Sequence, residues 1–402
     1  MKEFIDRPQQ QRNRVITIIL TSLFLMFVAF FYIGFQKDFI ALMQETWSRG
    51  QTTNSAFVTT VIAAVVLILL QRAMRSIFEF RGRWEAVSYI PSFALLALTT
   101  AVDFHTMRYN LRPWIVVAIV VVLIFVLVVI LSRLSRSDKK TPLVSLLWPN
   151  LVVFVASAVV CMMLTNHNAA AHQELAAYHY ASRDKAEAVS SVARRSLETT
   201  PALTALRNVA LAKQGLVGDQ LFTYPQPYAS KGLGVNRYTR VNTHYGADVF
   251  YEFLGEEPYG GESPDAFCAR LYRQEDTPFH RDLYIASLLL DAKLKEFVTA
   301  FPPQAFIAPD ASAAERAALP RHYREAWLLA ANMPKGANLC DYRDDELQPL
   351  LDDFKARYAA SHTDVATTMA ELSLTYGHTF WFYYFYQDNI AEASFTNAPH
   401  RK

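Results

Sequence analysis

The sequence predicts an all-α protein in two parts, five transmembrane helices followed by a mostly helical soluble domain. Three observations carry that reading. Five apolar runs crowd into residues 1–165, and residues 166–402 then have an ordinary soluble composition. That tail shows helical periodicity with recognisable helix ends, and no sustained apolar–polar alternation of the kind strands require. The charge divides at the same place: 16 Lys/Arg face 8 Asp/Glu up to residue 165, and 23 face 29 beyond it. A mean hydropathy of +0.10 and a net charge of +2 only average over these unlike halves.

The first run, VITIILTSLFLMFVAFFYIGF (15–35), is too long for a signal-peptide core. No small-residue cleavage site follows it, so it is expected to stay as an anchor. AFVTTVIAAVVLILL (56–70) and AVSYIPSFALLALTTAV (86–102) are shorter. With their polar flanks they reach the roughly 20 residues that cross about 30 Å of hydrocarbon, giving spans at 54–72 and 86–104. WIVVAIVVVLIFVLVVIL supports a span at 113–131, and LVSLLWPNLVVFVASAVVCMML one at 143–164. Pro91 and Pro149 fall inside spans three and five, where kinks satisfied by neighbouring helices are expected. No run carries an ionisable side chain at its centre, which argues against an ion path or proton relay.

Basic residues orient the spans. Twelve Lys/Arg lie in the N-terminus and in the loops after runs two and four, at Lys2, Arg7, Arg12, Arg14, Arg72, Arg75, Arg81, Arg83, Arg133, Arg136, Lys139 and Lys140. The alternate loops hold four: Lys37, Arg49, Arg108 and Arg112. The N-terminus is therefore expected in the cytoplasm. An odd number of spans then puts 166–402 on the far side. These cations sit at membrane edges and imply a lipid bilayer as partner, with no nucleic acid. The loop 36–54 has Asp38 and Glu45 but no adjacent acidic pair, which argues against a glycosyltransferase that uses a lipid-linked sugar.

In the tail, Thr200-Pro201 supplies a helix N-cap and a first-turn proline, with Leu203, Leu206 and Ala210 on one face and Gly215 at the C-terminal end. Thr277-Pro278 repeats the device, and Pro302-Pro303 stops that helix. Further helices run from Pro320 through RHYREAWLLAANM and through Leu347, Leu350, Leu351, Phe354 and Tyr358. Between 170 and 215 the spacing of alanines and leucines, with SRDKAEAV at 182–189, predicts a tetratricopeptide-like arrangement of paired helices. FTYPQPYASKGLGVNRYTRVNTHYG (222–246) is a long loop, and loops of this length in compact domains are often functional. FWFYYFY (380–386) is apolar all round and is expected to be buried in the core.

Motifs with chemistry are sparse. The sequence has no HExxH, GxSxG, Walker loop or helix-opening GxGxxG. His322 and Glu325 have a spacing compatible with metal ligation, but no further ligand stands at a matching distance, so no metal or cofactor is expected. Asp344, Asp345 and Glu346 read as acids at a helix N-terminus. Cys161 falls in the fifth span, while Cys268 and Cys340 are the two cysteines of the tail and candidates for a disulfide. No residue is assigned a catalytic role.

Several segments together resemble an uncharacterised bacterial family of polytopic membrane proteins classed as a domain of unknown function. They are DFIALMQETWSRGQTT, AVSYIPSFALLALTT, ALRNVALAKQGLVGDQLFTYPQ, ALPRHYREAWLLA and YGHTFWFYYFY, in that order along nearly the whole chain. The resemblance implies a multi-pass protein of the inner (plasma) membrane with a tetratricopeptide-like periplasmic domain. It carries over neither an activity nor catalytic residues.

Two functions compete on this reading. The first is a non-enzymatic envelope scaffold whose helical domain holds a protein partner. The alternative is a membrane enzyme, or enzyme subunit, handling lipid-linked glycans, with Tyr224, Tyr228, Arg237, Arg240 and His244 of the long loop lining the site.

Overall fold

Ile16, Leu20, Phe24 and Val28 recur every four residues, the spacing that puts side chains on one helix face, and all four are fully buried. They lie on α1 (Arg7–Ala29), which a π-helical turn, Phe30–Phe35, extends. The computed structural model describes residues 7–48, 51–100, 142–165, 169–234, 247–308, 311–334, 338–360 and 364–396, apart from Thr53, Arg195 and Leu197, with six further positions between 119 and 130. Its elements form two compact units, Met1–Leu175 and Ala176–Lys402, and the described residues contain helices and no strands.

Among the described residues of the first unit, three helices are long and apolar enough to cross a membrane: Gln9–Phe35, α3 (Ala56–Phe78) and α5 (Leu143–Leu164). The shorter α2 (Lys37–Ser48) follows the first of them. Their inward stripes meet in one core that includes Phe24, Phe31, Leu67, Leu146 and Phe154. Their outward faces leave Ile18, Met26, Phe57, Ile62, Leu69, Trp148 and Met163 more than half exposed, a surface suited to hydrocarbon and costly in water.

Five such helices were expected, and the third run departs from that expectation. It does not form one helix over 86–104. Gly82–Tyr89 is a 3₁₀ segment, and α4 (Ile90–Thr99) supplies only ten residues. Pro91 stands in the first turn of α4, where its missing N–H is no loss, so it marks a helix start rather than a kink. The 3₁₀ segment is held by Asn150 of α5, whose amide nitrogen donates to the carbonyls of Gly82 and Leu146, each at 2.7 Å, and whose oxygen accepts from Ala86 N–H at 2.7 Å. Glu85, wholly buried, accepts from Thr17 Oγ1 at 3.1 Å and pairs with Arg75 Nε at 2.9 Å. Contacts of Thr17 with Glu85, Thr21 with Tyr89 and Tyr32 with Thr99 keep a nearly constant sequence offset, so the broken segment runs beside α1 in the same direction. The fourth run, 113–131, lies outside the described residues except for positions 119, 122, 125, 126, 129 and 130. Pro149 lies inside α5, as expected.

In the second unit the predicted helix starts form from their own side chains. After α6 (Ala169–Ala181) and α7 (Ala186–Ser191), Thr200 caps α8 (Pro201–Lys213) by accepting from Leu203 N–H. The one-turn α9 (Val217–Gln220) and α10 (Ala247–Leu254) precede α11 (Pro264–Gln274), capped by Ser263. Thr277 then caps α12 (Pro278–Leu290) by accepting from His280 N–H. The chain continues through α13 (Leu294–Ala300), α14 (Ala313–Ala317), α15 (Arg321–Ala331), α16 (Gln348–Ala360), α17 (Val365–Tyr376) and α18 (Phe380–Thr396).

The amphipathic pattern read for 201–213 understates its burial. Every position of α8 from Ala202 to Ala212 is buried, as is α15 from His322 to Ala330. Helices buried on all faces are bundle centres, whereas a solenoid layer keeps one face open; no tetratricopeptide-like array is evident among the described residues. Phe380, Trp381, Phe382, Tyr383 and Tyr386 are buried, with Phe222 packed on Phe380 and Tyr383. The aromatic run is thus core.

Candidate functional site

Two of the five residues expected on the binding loop, Tyr224 and Tyr228, are among the described residues. Tyr224 is 5% exposed, and its hydroxyl donates to the Ser190 carbonyl at 2.9 Å. Tyr228 is half-buried, with its hydroxyl 3.4 Å from the Thr199 carbonyl. Both tyrosines clasp the loop to residues 190–199. Arg237, Arg240 and His244 lie outside the described residues. Gly234 ends the described part with φ +70°, and a Cβ there would stand 2.6 Å from Phe250 and 2.8 Å from Ala205, so the position requires glycine on both counts.

Beneath Tyr224 lies a residue that the sequence did not single out. Arg207, 1% exposed on α8, places its guanidinium 4.5 Å from the Tyr224 ring centroid and donates from Nη2 to the Val192 carbonyl at 2.9 Å. Its Nε and Nη1 have no hydrogen-bond partner among the described residues. Burial pushes its pKa down to about 10, with Tyr224 opposing. Desolvating a cation costs several kcal/mol, and an aromatic face returns about 2 kcal/mol, so Tyr224 compensates only part of that cost. The adjacent Asn208 is fully satisfied by contrast, exchanging amide bonds of 3.0 and 2.9 Å with Gln226 and donating to Gly232 O at 3.1 Å. Arg207-Asn208 is a polar pair in a helix whose other positions from Ala202 to Ala212, Thr204 aside, are apolar.

His322 and Glu325 do come together, but as a buried brace. His322 Nδ1 lies 3.0 Å from Glu325 Oε2, and Phe222 N–H approaches His322 Nε2 at 3.4 Å. Glu325 also accepts from Phe380 N–H at 2.8 Å and Arg321 Nε at 2.9 Å. Burial raises its pKa, yet His322, Phe380 N–H and Arg321 together bring it below the usual carboxylate value. Both ring nitrogens and both carboxylate oxygens are engaged, and among the described residues no group of three His, Cys, Asp or Glu side chains could hold a metal.

The two tail cysteines, the candidates for a disulfide, are free thiols in the structure. Cys268 is buried in α11 with Ser287 of α12 as its hydrogen-bonding neighbour, whereas Cys340 lies 3.5 Å from the Trp327 carbonyl beyond the end of α15. Burial raises both pKa values, that of Cys340 to about 11. Native alkylation followed by mass spectrometry is expected to label Cys340 slowly and Cys268 only after denaturation, with no mass loss for a disulfide.

Cys340 borders a cleft with room for a ligand. The cleft, of about 630 Å³, opens between the end of α15 and the start of α16, lined by Asn332, Asn338, Cys340, Asp341, Asp345 and Gln348 among others. Its wall is rigid. Arg324 pairs bidentately with Asp344, Nε to Oδ2 at 2.7 Å and Nη2 to Oδ1 at 3.0 Å, and reaches Glu346 at 2.7 Å. Asp344 in turn accepts from the N–H groups of Glu346 and Leu347, the N-terminal role expected of this acidic cluster. Asn332 and Gln348 exchange amide hydrogen bonds at 3.1 and 3.3 Å. With Asp344 already paired, Asp341 and Asp345 leave exposed negative charge at the rim, beside the exposed Arg343. Such a surface can hold a cationic group or a row of hydrogen-bond donors. A thiol kept protonated by burial is a poor nucleophile.

A family described as "Family of unknown function (DUF6057)" matches residues 5–255 and 262–387. No curated protein and no solved structure matches the chain.

Proposed function

The chain belongs to this family of unknown function, and from that premise we propose that it is a multi-pass membrane protein whose second unit holds a partner protein in the cell envelope. The first unit fixes it in the bilayer. The lipid-compatible exteriors of α1, α3 and α5 support this part, and so does the broken third run beside α1. Eight residues at about 2.0 Å rise and ten at about 1.5 Å, laid end to end, carry Gly82–Thr99 roughly 31 Å, enough to cross the hydrocarbon. With the fourth run as a further span, the count is five. The basic residues then keep the N-terminus in the cytoplasm of a bacterial inner membrane and place the second unit in the periplasm.

The observation that carries the binding role is the cleft between α15 and α16. Its carboxylates and amides suit a partner segment bearing Lys or Arg and free N–H donors. A photo-crosslinking residue at Asn338, used in intact membranes, is expected to yield one discrete adduct. That adduct should fade when Asp341 and Asp345 are both changed to Lys. A lipid-linked sugar that co-purifies stoichiometrically, with no protein adduct, would transfer support to the glycan-handling enzyme.

A further inference from the structure

We propose that Arg207 is one half of a buried ion pair completed by a small oxyanion of carboxylate or phosphate type. The inference is independent of the partner cleft. Arg207 sits in the middle of a helix buried from Ala202 to Ala212, and its own side chain is 1% exposed. Of its donor atoms only Nη2 is used, toward Val192 O; Nε, with one N–H, and Nη1, with two, face no acceptor among the described residues. Native interiors very seldom leave such groups unmatched.

Other shielded cations of the chain show what Arg207 lacks. Arg324 has Asp344 and Glu346, Arg270 has Glu262, and Arg75 has Glu85. Among the described residues no carboxylate pairs with Arg207. The Tyr224 ring covers a face of the guanidinium, so a ligand must approach in its plane, along an edge. In-plane N–H groups match the oxygen spacing of a carboxylate or phosphate, the geometry for which arginine is suited. The burial selects a small ion. Tyr224, tied by its hydroxyl to Ser190 O, lies over the group.

The test uses the intact protein in detergent, in a chloride buffer, with inorganic phosphate or acetate added separately. A saturable rise in unfolding temperature is expected with at least one of them, about 5–10 °C at a hundredfold excess over Kd. Response to phosphate alone, acetate alone or both identifies which oxyanion chemistry the site takes. Arg207→Met should abolish the rise and unfold no lower than anion-free wild type, since it removes an uncompensated charge. Arg207→Lys should leave a reduced rise, because the charge remains and the fork is lost. A non-saturating rise of equal size in wild type and Arg207→Met, or no rise with either anion, would overturn the proposal. Should Arg207→Met fail to fold, equilibrium dialysis of wild type with labelled phosphate or acetate, and ion chromatography of the denatured protein, decide the matter. One anion per chain by either route supports the site, and none by both overturns it.

Discussion

Trp381→Ala is expected to destabilise the second unit by about 3–5 kcal/mol, the range for deleting a large aromatic from a packed core. Trp381 is fully buried at the start of α18, within a run whose Phe380, Phe382, Tyr383 and Tyr386 are buried too. Tyr383 fixes the helix further, its hydroxyl donating to Leu290 O at 2.7 Å. Deletion therefore opens a cavity whose walls are already committed. Trp381→Phe is the informative control. The indole Nε1 has no acceptor among the described residues, so phenylalanine removes an unmatched donor, worth about 1–3 kcal/mol, while losing some buried area. The two effects oppose, and a change near zero is expected. Pulse proteolysis of the intact protein in detergent reads both variants. A loss of only a few tenths for Trp381→Ala would remove the aromatic run from the core.

Glu325→Ala should cost a comparable 3–5 kcal/mol or so, because it strips a buried carboxylate from three donors and leaves His322 and Phe380 N–H unmatched. Glu325→Gln keeps the shape and part of the bonding and should cost less. The pH dependence separates this from simple packing. The folded-state pKa of Glu325 is depressed below its ordinary value of 4.5. Its contribution is therefore present above pH 4.5 and lost as pH falls through the folded value. Wild type should lose stability more steeply than Glu325→Gln on acidification below that point. Neither variant should lose a chemical activity, since these groups brace α15 against α18. Parallel acid profiles for wild type and Glu325→Gln would remove the charge from the account.

What was legible in the sequence were features written in neighbouring residues. Thr200-Pro201 and Thr277-Pro278 cap the helices they were read to open, because the capping bond spans only three residues. The long apolar runs of α1, α3 and α5 needed nothing beyond composition and length. The burial of FWFYYFY followed from its having no polar face. What escaped depends on partners far away in the chain. The third run reads as a helix until Asn150 is known to grip Gly82 and Ala86, and until Glu85, outside any apolar centre, is found paired with Arg75 and Thr17. His322 and Glu325 read as half a metal site because Phe222 and Phe380, which occupy them, lie about 100 and 55 residues away. Arg207 was passed over for a related reason. A single arginine in a helix normally points to solvent, and only packing reveals that α8 has no solvent face.

The proposed topology has a membrane-fixed first unit and the second unit on the opposite side from the N-terminus. Paired reporters, one active only in the cytoplasm and one only outside it, fused after Arg136 and after His172, test this directly. The predicted result is cytoplasmic signal after Arg136 and external signal after His172. The reverse pattern, or the same side for both fusions, would contradict it.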